Sequence, residues 1–184
     1  MSQENWRDLP DVELVRQSLL GKKDAFVEII KRYQKKAFGM AFFHCRNKSE
    51  AEDLTQEIFL STYSSLSRFD QTRSFTNWFL RIVTNHCLNY AKKKRNSPLL
   101  VDVSLFPPLL SDPAVEQIAQ EQREKLFTAL NQINEDFRLP LWLFYFFDRS
   151  YEQISEILEI PINLVKVRLF RGKLAIGKLI KKGE

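Results

Sequence analysis

Cysteine is nearly absent: two residues in 184, Cys45 and Cys87, are too few for a disulfide framework, and a reducing compartment is expected. Glycine is scarce too, at five, which disfavours a fold of many tight β-turns. No glycine-rich loop is present to cradle a phosphate, and no serine, histidine and aspartate stand at a known catalytic spacing. Neither an enzyme nor a cofactor is therefore expected. No stretch approaches the roughly 20 apolar residues of a membrane-spanning helix. Residues 1–10 carry neither a basic leader region nor an apolar run, so no signal peptide is expected and the chain reads as cytoplasmic. Disorder is excluded by fifteen phenylalanines and a hydrophobic content of 44%.

What is present is charge, unevenly placed. The formal net charge is +5, which favours a polyanionic partner. From Ile160 onward the bases are Lys166, Arg168, Arg171, Lys173, Lys178, Lys181 and Lys182, against the single acid Glu184. Between Asp112 and Glu159 acids outnumber bases. Such segregation is the footprint of a nucleic-acid face.

The sharpest change in composition lies between Asn96 and Pro113, where Pro98, Pro107, Pro108 and Pro113 interrupt an apolar stretch without helical period. This is expected to be a linker, residues 96–112, between helical modules of residues 1–95 and 113–184. Its leucines imply that it lies against its own modules or a partner channel. The fold class is therefore all-α, two small helical domains joined by an extended linker.

In the first module, four helices are expected. One runs from Asp11 to Leu20 and stops at Gly21; Asp24 caps the second; Ser49 and Glu52 make a capping box for the third; Ser74 caps the fourth. In the second module Asp112-Pro113 opens a helix to about Gln132, and an apolar helix follows from about Asp136. Ser150 and Gln153 box the start of a short helix, Tyr151 to Leu158, and a final helix begins at Ile162. A short helix, a tight turn and a longer basic helix read as a helix-turn-helix.

Helical spacing then sorts the faces. On the last helix Val165, Leu169, Gly172 and Ile176 pack inward, while Asn163, Val167, Phe170 and Arg171 face out, flanked by Lys166 and Lys173. On the third helix Ala51, Leu54, Ile58 and Ser65 pack, leaving Asp53, Gln56, Glu57, Leu60 and Ser64 as an acidic surface suited to a basic protein helix. The fourth helix packs through Trp78, Phe79, Ile82, Val83 and Tyr90 and exposes Arg81, Asn85, Leu88 and Lys92, ending in the basic run Lys92 to Arg95. Before it, Ser67 to Phe75 mixes aromatics, hydroxyls and arginines, a composition able to stack on and hydrogen-bond an unstacked base, the alternative being that Phe69 and Phe75 anchor the loop to the core. The pairs His44-Cys45 and His86-Cys87 are expected to pack in the core, since neighbours on a helix point about 100° apart and ligate one metal poorly together.

The segment Ala51 to Leu60 resembles the core-polymerase-binding motif of bacterial sigma factors. The run Phe75 to Asn85, followed by Lys92 to Arg95, is similar to the promoter-melting helix of their extracytoplasmic-function group. Tyr151 to Pro161 with Val165 to Arg171 resembles that group's promoter-reading helix-turn-helix. The resemblance implies that Asp53, Gln56, Glu57 and Leu60 meet core RNA polymerase. It implies that Phe69, Asp70, Gln71, Ser74, Phe75, Arg81, Asn85 and Lys92 take the locally melted minus-ten element. Asn163, Lys166, Val167, Phe170, Arg171 and Lys173 would then sit on double-stranded DNA at the minus-thirty-five element. The linker would thread the polymerase toward the RNA exit path, and an anti-sigma factor is an expectation from the group. The chain departs from the family at Asn163-Leu164, often Gly-Thr, at Val167, often serine, and at Gly172, often alanine. The rival reading is a helix-turn-helix repressor or activator with a sensing or dimerising first module, which leaves the acidic face and the aromatic loop without a role.

Overall fold

The computed structural model describes residues 6–93, 125–126 and 128–182, and among these every regular element is a helix. The chain divides into two compact units, the division falling within residues 94–124. The expected linker, the Asp112-Pro113 cap, Lys94 and Arg95 lie outside the described residues.

In the N-terminal unit a 3-10 turn, Trp6–Asp8, precedes α1 (Asp11–Leu19), α2 (Lys23–Cys45), α3 (Lys48–Ser65), a second 3-10 turn at Leu66–Arg68, and α4 (Phe75–Lys93). The stop at Gly21 is a full Schellman motif. Gly21 has φ +86°, its N–H donates to Ser18 O, and Lys22 N–H donates to Gln17 O. The expected Asp24 cap is not made, because α2 starts earlier, at Lys23, with no side-chain cap. Asp24 instead lies in the first turn, where its charge complements the helix dipole. Likewise Ser49 and Glu52 do not box α3. Asn47 accepts the Glu50 N–H at 3.1 Å and starts that helix two residues sooner than expected. Ser74 does receive an amide, Asn77 N–H, at 3.3 Å.

Helix α2 is the spine of this unit and packs against α1, α3 and α4. Six successive residues, Met40 to Cys45, are all buried, as expected of a segment covered on every side. His44 and Cys45 belong to this stretch and pack as expected, and Cys87 on α4 is buried too, whereas His86 is only half-buried. His44 Nδ1 is 2.8 Å from Met40 O. No group of three or more metal-binding side chains forms among the described residues.

In the C-terminal unit residues 128–132 are helical, followed by α5 (Glu135–Tyr145), α6 (Tyr151–Leu158) and α7 (Ile162–Lys182). The Ser150–Gln153 capping box is complete in both directions, at 3.2 and 2.9 Å. Glu159, with φ 54°, turns the chain between α6 and α7, and Ser155 Oγ donates to Ile160 O to brace the turn. Val165 and Leu169 seat α7 on α5 and α6. Gly172 lets α7 approach α5 closely, since a Cβ there would lie 2.7 Å from Leu141 Cδ1 and 3.2 Å from Phe137 Cβ.

Candidate functional site

On α3, Asp53, Gln56 and Glu57 are all exposed and Leu60 stands 71% exposed among them. Beside this rim runs an apolar groove of about 590 Å³ between α2 and α3, walled by Phe26, Val27, Ile30, Phe59, Leu60 and Tyr63. Phe26 and Tyr63 meet edge to face at 4.8 Å, which fixes one end of the wall. Sequence reasoning missed the exposed Val27 and Tyr63. They sit off the packing stripes, and only their apolar character on an otherwise polar face signalled them. Burial lowers the proton affinity of His86 on α4, with the Glu57 carboxylate opposing this weakly. No neighbouring imidazolium therefore neutralises the acidic rim at neutral pH.

The loop before α4 is held by its aromatics. Phe69 and Phe75 are 6% and 2% exposed, and both rings lie 5.1–5.6 Å from Trp78 and from each other. This corrects the expectation that Phe69 and Phe75 present free faces to a base: their rings are turned inward as anchors, since core burial outweighs exposure for so much apolar surface. Between the anchors the chain folds into a tight turn. Asp70 Oδ1 accepts from Thr72 N–H at 3.0 Å and Thr72 Oγ1 at 2.7 Å, and Arg73 N–H returns to Asp70 O. The Thr72 hydrogen bonds, helped by the Arg73 charge, hold the Asp70 carboxyl below its ordinary range. Gln71, Thr72, Arg73 and Ser74 are exposed at the tip.

Behind the tip, exposed Asn85 and Lys92 share a face of α4 with half-buried Arg81. A hydrogen-bonded chain fixes the start of that helix. Thr76 Oγ1 lies 2.7 Å from Tyr33 OH, which also bonds Asp11, whose other oxygen takes Arg32 at 2.8 Å. Burial, reinforced by Asp11, raises the Tyr33 pKa, so the phenol stays protonated and donating.

On α7, Asn163, Lys166, Val167, Phe170, Arg171 and Lys173 are all exposed, with Asn163, Val167, Phe170 and Arg171 on the side opposite buried Val165 and Leu169 and with Lys166 and Lys173 on its flanks. Two nearby cations are engaged within the unit. Arg168 pairs with Asp136 at 2.7 Å, and Lys173 lies 5.5 and 5.4 Å from the Phe144 and Tyr145 ring centroids.

The profile of Sigma-70 region 2 matches residues 29–97 and that of Sigma-70 region 4 matches residues 123–176. Over 177 residues the chain is 27% identical to the extracytoplasmic-function (ECF) RNA polymerase sigma factor SigW of Bacillus subtilis, covering 91% of this chain and 95% of that one. It is 29% identical to the RNA polymerase sigma-H factor of Pseudomonas aeruginosa over 181 residues, covering 93% and 94%. The chain belongs to the ECF group of the sigma-70 family. Two solved structures share its fold. CnrH, solved with the cytosolic domain of CnrY, matches with a TM-score of 0.73 at 18% identity over 95% of this chain and 99% of that one. RpoE of Bartonella quintana, solved with the anti-sigma factor NepR, matches at 0.67 and 19% identity over 85% and 96%.

As an ECF sigma factor the protein acts in promoter-specific transcription, and sigma factors are initiation factors rather than enzymes. The repressor or activator alternative is set aside. Region 2 takes in most of α2 and all of α3 and α4, hence the acidic rim and the anchored loop, while region 4 takes in the helix-turn-helix. No helix among the described residues is long and apolar enough to cross a membrane.

Proposed function

We propose that this ECF sigma factor docks on core RNA polymerase through the α3 rim and its groove, opens the minus-ten element with the 69–75 turn and α4, and reads the minus-thirty-five element with α7. The observation that carries the docking step is Leu60, a large apolar side chain exposed between an acidic rim and an apolar groove. A partner helix with one basic and one apolar stripe satisfies both halves at once, the acids steering it and the groove burying its apolar side. In the opening step, Gln71 and Ser74 at the tip and Asn85 behind it supply hydrogen bonds to a base taken out of the stack, with Asp70 shaping the turn. Phe69 and Phe75 act by holding that turn in place. Arg81 and Lys92 hold the strand's phosphates. Asn163, Lys166, Phe170 and Arg171 face the major groove, with Lys173 at its edge. An anti-sigma factor would regulate the chain by competing for these surfaces, as a partner class that the Bartonella RpoE complex brings into view.

Comigration with core RNA polymerase on gel filtration tests the docking step. The wild-type chain is expected to comigrate, and the double variant Asp53→Lys with Glu57→Lys is expected to elute alone with an unchanged far-ultraviolet circular dichroism spectrum. Undiminished comigration of the double variant would overturn the assignment.

A further inference from the structure

The outward face of α7 is apolar along its centre. Val167, Phe170 and Leu174 are 43%, 64% and 52% exposed, at spacings of three and four residues that place them in one stripe. Two other cations of α7 are drawn aside from it, Arg168 to Asp136 and Lys173 over the Phe144 and Tyr145 rings. Exposed apolar stripes of this kind ordinarily meet a protein groove or a lipid surface. Here the stripe is bordered by Lys166, Arg171 and Lys178, and the chain holds no acid from Ile160 until Glu184. Such a border fits a polyanion and repels a basic protein helix.

Resting on the promoter-reading role proposed for α7, we infer that Val167 and Phe170 determine base specificity by packing against thymine C5-methyl groups on neighbouring base pairs. The thymine methyl is the one apolar group that the major groove offers. Residues 167 and 170 are separated by about 4.5 Å along the helix axis, close to the roughly 3.4 Å between successive bases on a strand. Their contacts therefore fall on consecutive steps. A helix-turn-helix presents the N-terminal part of its second helix to the base edges, and both residues lie within the first three turns of α7. Leu174 lies beyond them, toward the sugar-phosphate wall. Serine at position 167, the residue often found in the family, offers a hydroxyl that hydrogen-bonds several bases alike, whereas the two valine methyls have no polar partner to take. The substitution thus converts a tolerant contact into one that discriminates by a methyl group.

The test uses the full chain with core RNA polymerase and duplexes carrying a randomised upstream element, from which bound sequences are enriched. Each thymine of the enriched upstream element is then replaced singly by deoxyuracil, which removes only the methyl. Loss of one buried methyl contact corresponds to about a three- to fivefold weakening, expected at one or two adjacent thymines. In Val167→Ser, whose site is solvent-exposed and tolerates the change without unfolding, the replacement at the Val167-dependent position is expected to weaken binding less than twofold. An enriched element in which no thymine responds, or in which Val167→Ser responds as the wild type does, overturns the methyl-reading proposal and leaves promoter reading by α7 standing. Absence of any enriched upstream element overturns both.

Discussion

At residue scale, Gly172 shows how one departure from the family pattern is absorbed. Glycine within a helix costs up to about 1 kcal/mol relative to alanine through lost propensity. Here its missing Cβ is what allows α7 to lie against α5. Gly172→Ala would drive a methyl to 2.7 Å from Leu141 Cδ1 and 3.2 Å from Leu141 Cγ and Phe137 Cβ. Leu141 is fully enclosed, so relief requires an unfavourable rotamer or a shift of α7. Overpacking of this kind costs about 1–3 kcal/mol, which matches or exceeds what the propensity gain returns. Urea unfolding followed in the C-terminal unit should show net destabilisation of up to about 2 kcal/mol. An alanine variant more stable than the parent would mean that Leu141 gives way freely and that the close approach carries no constraint.

At the scale of elements, the loop between α3 and α4 separates anchoring from contact. Phe69 packs on Phe75 and Trp78, and its truncation to alanine should cost about 3–5 kcal/mol in stability, the range for a buried phenylalanine. Gln71 and Asn85 are exposed, and their alanine variants should leave stability within about 0.5 kcal/mol of the parent. With polymerase present, however, both should suppress the rise in 2-aminopurine fluorescence that reports opening of the minus-ten element, and a premelted promoter should restore much of the transcription. Opening that is unaffected in both variants would place melting elsewhere. This division was only half legible in the sequence. Local hydrogen-bonding signals translated well, as at the Gly21 stop, the Ser150–Gln153 box and the span Tyr151 to Leu158. The start of α3 did not, because Asn47, Ser49 and their neighbours offer competing caps and the sequence alone does not say which oxygen meets an unpaired amide. Phe69 and Phe75 were misjudged for a different reason. Whether an aromatic in a polar loop turns in or out depends on Trp78 and the helices beneath it, which are tertiary facts. The groove wall at Val27 and Tyr63 escaped for the same reason, since a groove exists only once two helices are set side by side.

At the scale of the whole chain, the proposed function divides the work between modules. On that proposal the N-terminal unit offers the acidic rim and apolar groove to a protein partner and the 69–75 turn with α4 to the melted strand, and the C-terminal unit offers the cations of α7 to duplex DNA. Within the C-terminal module, charge segregation between Asp112–Glu159 and the residues after Ile160 pointed to a nucleic-acid face before any fold was known, because solvent-facing charge is constrained little by packing and much by the partner. On this proposal neither module suffices alone: one would bind polymerase without choosing an upstream site, and the other would choose a site without recruiting polymerase. Run-off transcription tests this most directly, with core RNA polymerase, genomic DNA fragments from the source organism, and the chain added or withheld. Defined transcripts should appear only when the chain is added and should vanish with the Asp53→Lys, Glu57→Lys double variant. Transcripts that are the same with and without the chain would contradict the account.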